Sequence, residues 1–114
     1  MTISTTTLKN AARAIECDLW TDSDGANYLA KDGAILRRWE PLVDDGDALR
    51  LAVKLGMWVT IFKRSDPPAT MVGYSTGPMH GANIEYNHAD SDEFSATRMA
   101  IVFAASEIGA APCQ

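Results

Sequence analysis

The chain has 114 residues, 46% of them apolar, and ten basic residues set against fifteen acidic ones give a net charge of −5. That length suits a single domain over residues 1–114, with 1–4 and 110–114 expected to fray, and the apolar content is too high for a disordered chain. The sign of the charge argues against a nucleic-acid reader and against docking on an anionic membrane, and no apolar run approaches the ~18 residues of a membrane span.

Residues 5–15 carry Leu8, Ala11, Ala12 and Ile15 at helical spacing, with a threonine near the start to cap the free amides. Residues 17–20 read as a strand, and T-D-S-D-G after them reads as a turn. Asp22, Ser23, Asp24 and Gly25 resemble part of a calcium loop, but the register would put Trp20 at the first ligand position, so a hairpin turn is the expectation. Two more extended pieces, 26–30 and 34–39, are joined by Asp32-Gly33, a dipeptide that tolerates positive φ. The result is a meander of two or three short antiparallel strands, the first of them weakest in pattern.

Pro41 ends the meander, because it cannot donate to a ladder and it restricts Glu40 before it. Asp44 is placed to cap the next helix, with Asp47 reaching back as in a capping box, Asp45 favouring the helix dipole, and Val43 and Ala48 forming a small hydrophobic staple. Ala48, Leu51, Ala52 and Leu55 form its buried stripe, widened by Leu49 and Val53, while Asp47, Arg50 and Lys54 suit a solvated, ion-paired face. Gly56 stops the helix. Residues 57–62, M-W-V-T-I-F, are rich in β-branched and aromatic side chains on both faces, the pattern of a central strand.

Pro67-Pro68 breaks the chain before a strand over 70–74. S-T-G-P-M-H-G reads as a turn-rich connection to a last strand over 83–87. A final helix is expected to start near Asp90, with Glu93 in a capping box, and to run through Phe94, Arg98, Ile101, Val102, Ala105 and Ile108 to Gly109. The expected fold is α+β: a two-layer sandwich in which a small antiparallel or mixed sheet packs against two or three helices, in the order α-β-β-α-β-β-β-α.

Chemistry is harder to place. Cys17 and Cys113 lack metal spacing, and the first residues lack the charged and apolar regions of a signal peptide, so both are expected as free thiols in a reducing cytoplasm. Asp44, Asp45 and Asp47 could offer oxygen ligands to a hard cation, yet a helix start calls for acidic caps in any case. His80 and His88 flank the last strand, with Glu85 between them, outside any recognised zinc spacing. No G-x-S-x-G motif appears, and the three glycines from Gly73 to Gly81 match neither a phosphate loop nor a dinucleotide site. Arg37 and Arg38 beside Trp39 could hold an anion while the indole stacks on a base; alternatively Trp39 seals the core and the arginine stems cover its edge. The candidate ligand-binding residues are therefore Arg37, Arg38, Trp39, Asp44, Asp45 and Asp47, with no catalytic residue, metal or cofactor assigned.

The block W-E-P-L-V-D-D-G-D-A-L-R-L-A-V-K-L, with T-R-M-A-I-V-F-A-A-S-E-I-G further on, resembles small uncharacterised proteins of tailed bacteriophages and prophages, and more distantly the phage NinX family. In such proteins a W-N-P-L-x-D-D-G-D-A-x-x-L-A motif precedes a strand and T-R-x-A-I-V-x-A-A closes the chain; Glu40 stands here where asparagine is usual. The resemblance covers about a third of the chain and implies a phage origin and action in the host cytoplasm. It carries no catalytic residue across.

Small size, mild acidity and the lack of catalytic motifs lead to the expectation of a non-enzymatic binding protein. It would help a phage in its host by binding a host or phage protein, such as a defence protein, or by sequestering a small nucleotide signal. Two alternatives stand beside it. One is a metal-assisted hydrolase built on Asp44, Asp45 and Asp47 with His80 or His88. The other is a structural protein that self-associates, as a homodimer, through an exposed edge strand.

Overall fold

Ser4 starts the first helix: its hydroxyl accepts the Thr7 amide at 3.2 Å, so the capping side chain is a serine one residue ahead of the threonines. The computed structural model describes residues 4–64, 66–77, 80–88 and 92–110, with the backbone alone for 75–77, 80–83 and 85–87. Helix α1 (Thr5–Ala14) buries Leu8, Ala11 and Ala12, and Glu16 closes it in the left-handed region at φ 60°. The Glu16 and Cys17 amides satisfy the Arg13 and Ala12 carbonyls, the pattern usually built on glycine.

Strands β1 (Asp18–Thr21), β2 (Asn27–Lys31) and β3 (Ala34–Arg38) form an antiparallel meander in that order. The first turn is organised by Asp22, whose Oδ1 accepts the Asp24 and Ala26 amides, each at 2.9 Å, while Oδ2 accepts the Tyr28 hydroxyl. Those bonds, the Ala26 amide foremost, hold the Asp22 carboxyl below its ordinary range. The second turn is a two-residue hairpin with Asp32 at φ 53° and Gly33 at φ 81°.

Helix α2 (Asp45–Lys54) follows a turn at Pro41. It ends as glycine dictates: Gly56 takes φ 66°, its amide reaches the Val53 carbonyl, and the Met57 amide reaches that of Ala52. Ala48, Leu51 and Ala52 are buried as expected, but Leu49 and Val53 lie exposed and do not widen the stripe. Val43 is exposed too, so no staple closes over Ala48.

Strands β4 (Trp58–Phe62), β5 (Ala69–Gly77) and β6 (His80–Asn87) form a second antiparallel sheet in sequence order. The α+β class stands, with the strands shared between two sheets of three. Strand β1 makes the meander three-stranded, and β5 and β6 extend into the stretch read as a turn-rich connection, whose residues 78 and 79 lie outside the described residues. The central position expected for β4 is corrected: it is an edge strand, and every one of its residues is exposed. Apolar residues on both faces mark a buried strand only when something covers both faces.

Helix α3 (Glu93–Ala110) is the hub, packing on α1, α2, β5 and β6. Its cap is Asp92, whose Oδ1 accepts the Ser95 amide at 2.7 Å; Asp90, the expected cap, lies outside the described residues. Ala96, Ala100, Ile101, Val102, Ala104 and Ala105 are all buried, so small side chains let helices approach from several sides. At Gly109, inside α3 and not past its end, an added Cβ would fall 1.7 Å from the Asn10 carbonyl oxygen of α1. The core joins Ala100, Ala104 and Ala105 to Leu8, Leu29, Trp39, Leu51, Val72 and Tyr74.

Candidate functional site

The segment from Arg37 to Arg50 folds around one buried carboxylate. Asp47 sits in the first turn of α2 with 4% of its surface exposed. Its Oδ2 accepts the Glu40 amide at 2.8 Å, and its Oδ1 accepts from Arg50 at 2.7 Å and from Arg37. The expected capping box and the expected solvated face for Asp47 are both corrected: the side chain turns back over the Pro41 corner instead of reaching the Asp44 amide. Burial pushes its carboxyl up, but the Glu40 amide and the two guanidinium groups together outweigh burial and hold it below the ordinary carboxylate range. Asp44 caps the helix alone, through the Gly46 amide at 3.1 Å.

Asp45 points elsewhere. It pairs with Arg98 of α3 at 2.5 Å, and the Arg98 Nε donates to the Leu42 carbonyl at 2.8 Å. One arginine therefore clamps the Pro41 corner onto the hub helix. Residues 39–55 and 97–109 meet at this clamp.

Trp39 is buried in the core, and its amide donates to the Asn27 carbonyl at 2.9 Å. It seals the end of the meander and presents no face for a base to stack on. A shallow cleft of about 560 Å³ opens beside it, lined by Arg37, Arg38, Glu40, Asp44, Asp47 and Arg50. Three guanidinium groups there face three carboxylates. Arg38 lies 3.4 Å from Glu40, whose other oxygen takes the Asn27 amide nitrogen. An incoming anion would have to displace a carboxylate already in place.

Of the six candidates, the structure brings Arg37, Arg38, Asp44 and Asp47 to one cleft, turns Asp45 to another surface and buries Trp39. Among the described residues, no three His, Cys, Asp or Glu side chains gather into a metal-binding group. His88 bonds through Nε2 to Thr70 Oγ1 at 2.8 Å, and Thr70 also bonds Thr97 at 2.9 Å, a buried link from β5 to α3. The His80 side chain and Cys113 lie outside the described residues; Cys17 is a free thiol.

The surface that sequence reasoning missed lies on the other side of α2. A groove of about 330 Å³ runs between α2, β4 and α3, lined by Ala48, Leu49, Val59, Ile61, Phe94 and Ile101 among others. Its walls are almost wholly apolar, and they are open to solvent: Leu49 is 62% exposed, Phe94 60% and Ile61 50%. The signal was present in the sequence. Leu49 falls outside the Ala48–Leu51–Ala52 stripe, and a solvated helix face has no call for leucine there.

Comparison with family models, with curated proteins and with solved structures finds no match. The site must be read from its own chemistry. Asp45 and Glu93 also line the groove, beside its apolar walls. No helix among the described residues is long and apolar enough to cross a membrane.

Proposed function

We propose that this chain is a small non-enzymatic binding protein of phage origin that acts in the bacterial host cytoplasm. It docks a host or phage protein, such as a defence protein, on the groove between α2, β4 and α3. The observation that carries the proposal is the cluster Leu49, Val59, Ile61 and Phe94, large apolar side chains held open around one groove. Exposed apolar clusters of this kind cost solubility and are kept where a partner covers them. The phage origin rests on the two resembling blocks alone. Sequestration of a nucleotide is supported less well, because the arginines of the charged cleft already face carboxylates. A metal-assisted hydrolase is supported less again, since Asp45 turns away to Arg98, while Asp44 and Asp47 share Arg50 and accept from the Gly46 and Glu40 amides.

The test is to capture a bacterial protein on the immobilised chain, purify it, and measure rebinding by calorimetry. Leu49→Asp and Phe94→Asp should each weaken binding roughly tenfold or more, with a negative heat-capacity change for the wild type, while Arg38→Ala leaves affinity unchanged. Binding that survives both groove variants and falls with Arg38→Ala would move the site to the charged cleft.

A further inference from the structure

We propose that the cavity between the meander and α2 binds a small amphipathic anion, an aliphatic body carrying one anionic head. The cavity holds about 290 Å³, at the lower end of the ~300–1,000 Å³ of small-molecule sites. Its lining shares no residue with that of the apolar groove.

Three elements build it, and each supplies a leucine next to a cation. Strand β2 gives Leu29 and Lys31, two residues apart and so on one face. Strand β3 gives Leu36 and Arg37, which are consecutive and would face opposite ways in a regular strand. The register explains how both reach the cavity. Ala30 pairs with Ile35 but Leu29 with Arg37, so Leu36 is the extra residue of a bulge, the device that re-aims a side chain. Helix α2 gives Leu51 with Arg50 and Lys54, all on one side of the helix.

The result is an aliphatic surface flanked by four positive charges. No acidic residue lines the cavity, although acids outnumber bases in the chain by fifteen to ten. Arg37 and Arg50 are held by Asp47, but Lys31 and Lys54 have no carboxylate partner among the described residues. An ammonium is a compact point charge, suited to a single head such as a carboxylate or a phosphate. Trp39 reaches the lining with 2% of its surface exposed, too little for a nucleobase to stack on, so the body of the ligand is aliphatic.

Cys17 lines the same cavity and is a free thiol, so its alkylation reports occupancy. In a Cys113→Ser background, octanoate and octyl phosphate should each slow the reaction of Cys17 with iodoacetamide to a saturable limit. Octanol and octylammonium carry the same body with no charge or the opposite one, and should bind roughly tenfold more weakly or worse. Hexanoate, two methylenes shorter, should bind roughly tenfold more weakly than octanoate. Whichever of the two octyl anions binds tighter names the head, and either order supports the site. Lys31→Met combined with Lys54→Met keeps the apolar stems and removes two charges, and it should erase most of the preference for octanoate over octanol. Both lysines are exposed, so the circular dichroism spectrum should not change. Calorimetry on the wild type should return the same order of affinities without any variant. No saturable protection by either anion, equal protection by octanol, or a preference that the double variant leaves intact would overturn the proposal.

Discussion

Replacing Asp47 with asparagine keeps the size of a buried side chain and removes the charge around which the Pro41 corner is built. In the native protein that carboxylate accepts from the Glu40 amide, Arg50 and Arg37. The asparagine oxygen can serve one of these donors, and its own NH₂ is then turned toward another. Arg37 and Arg50 have side chains 42% and 57% exposed, so both re-enter water and their loss counts little. What remains is one charge-assisted hydrogen bond lost and one half-buried donor left facing a donor, a cost of about 2–3 kcal/mol. For a domain of this size that lowers Tm by roughly 10 °C. The sign of the pH dependence follows from the depressed carboxyl. Its contribution is complete above the unfolded-state value near ~4 and is lost as pH falls through the folded-state value. Urea melts of wild type and Asp47→Asn should therefore differ most at neutral pH and converge in acid. A gap below about 0.5 kcal/mol at neutral pH, or one that does not shrink in acid, would refute the role given to this carboxylate.

Gly109→Ala should improve helix propensity by about 1 kcal/mol, yet the added methyl meets the α1 backbone, and overpacking of about 2–3 kcal/mol should win. A Tm at or above wild type would show that α1 and α3 are not held so close. Glu16→Gly should stabilise by about 1 kcal/mol, read from urea melts, because only the backbone at φ 60° disfavours glutamate there. Tyr74 is pushed up to about 12, by burial first and then by its 2.6 Å bond to Glu107. Its stabilising contribution is present below the unfolded-state value near ~10 and lost as pH rises through about 12. In an absorbance titration it should ionise well above the ordinary tyrosine range, and Glu107→Gln should bring it part of the way down.

Local features were legible in the sequence and distant ones were not. The Asp32-Gly33 turn, the Asp44 cap, the Gly56 stop and the buried face of α2 follow from nearest neighbours, and each is where the spacing put it. Asp47 was misread because its partners, the Glu40 amide and Arg37, lie seven and ten residues away, beyond any helical period. Strand β4 was misread because an apolar pattern on both faces reports that both faces need cover, not which molecule supplies it. Trp39 went the way of most aromatic residues at strand ends, into the core. The groove went unseen because α2 and β4 were recognised as elements while Leu49 was assigned to the buried stripe and β4 to the middle of a sheet.

The contact of α1 with α3 has a consequence for the birth of the molecule. Backbone meets backbone at Asn10 and Gly109, so the interior cannot close until α3 has left the ribosome. Throughout synthesis the bare alanine side of α1 and the apolar W-V-T-I-F segment travel together in the open. A nascent chain in that condition is a natural client for chaperones, and its yield in a cell should track their supply more closely than its own final stability.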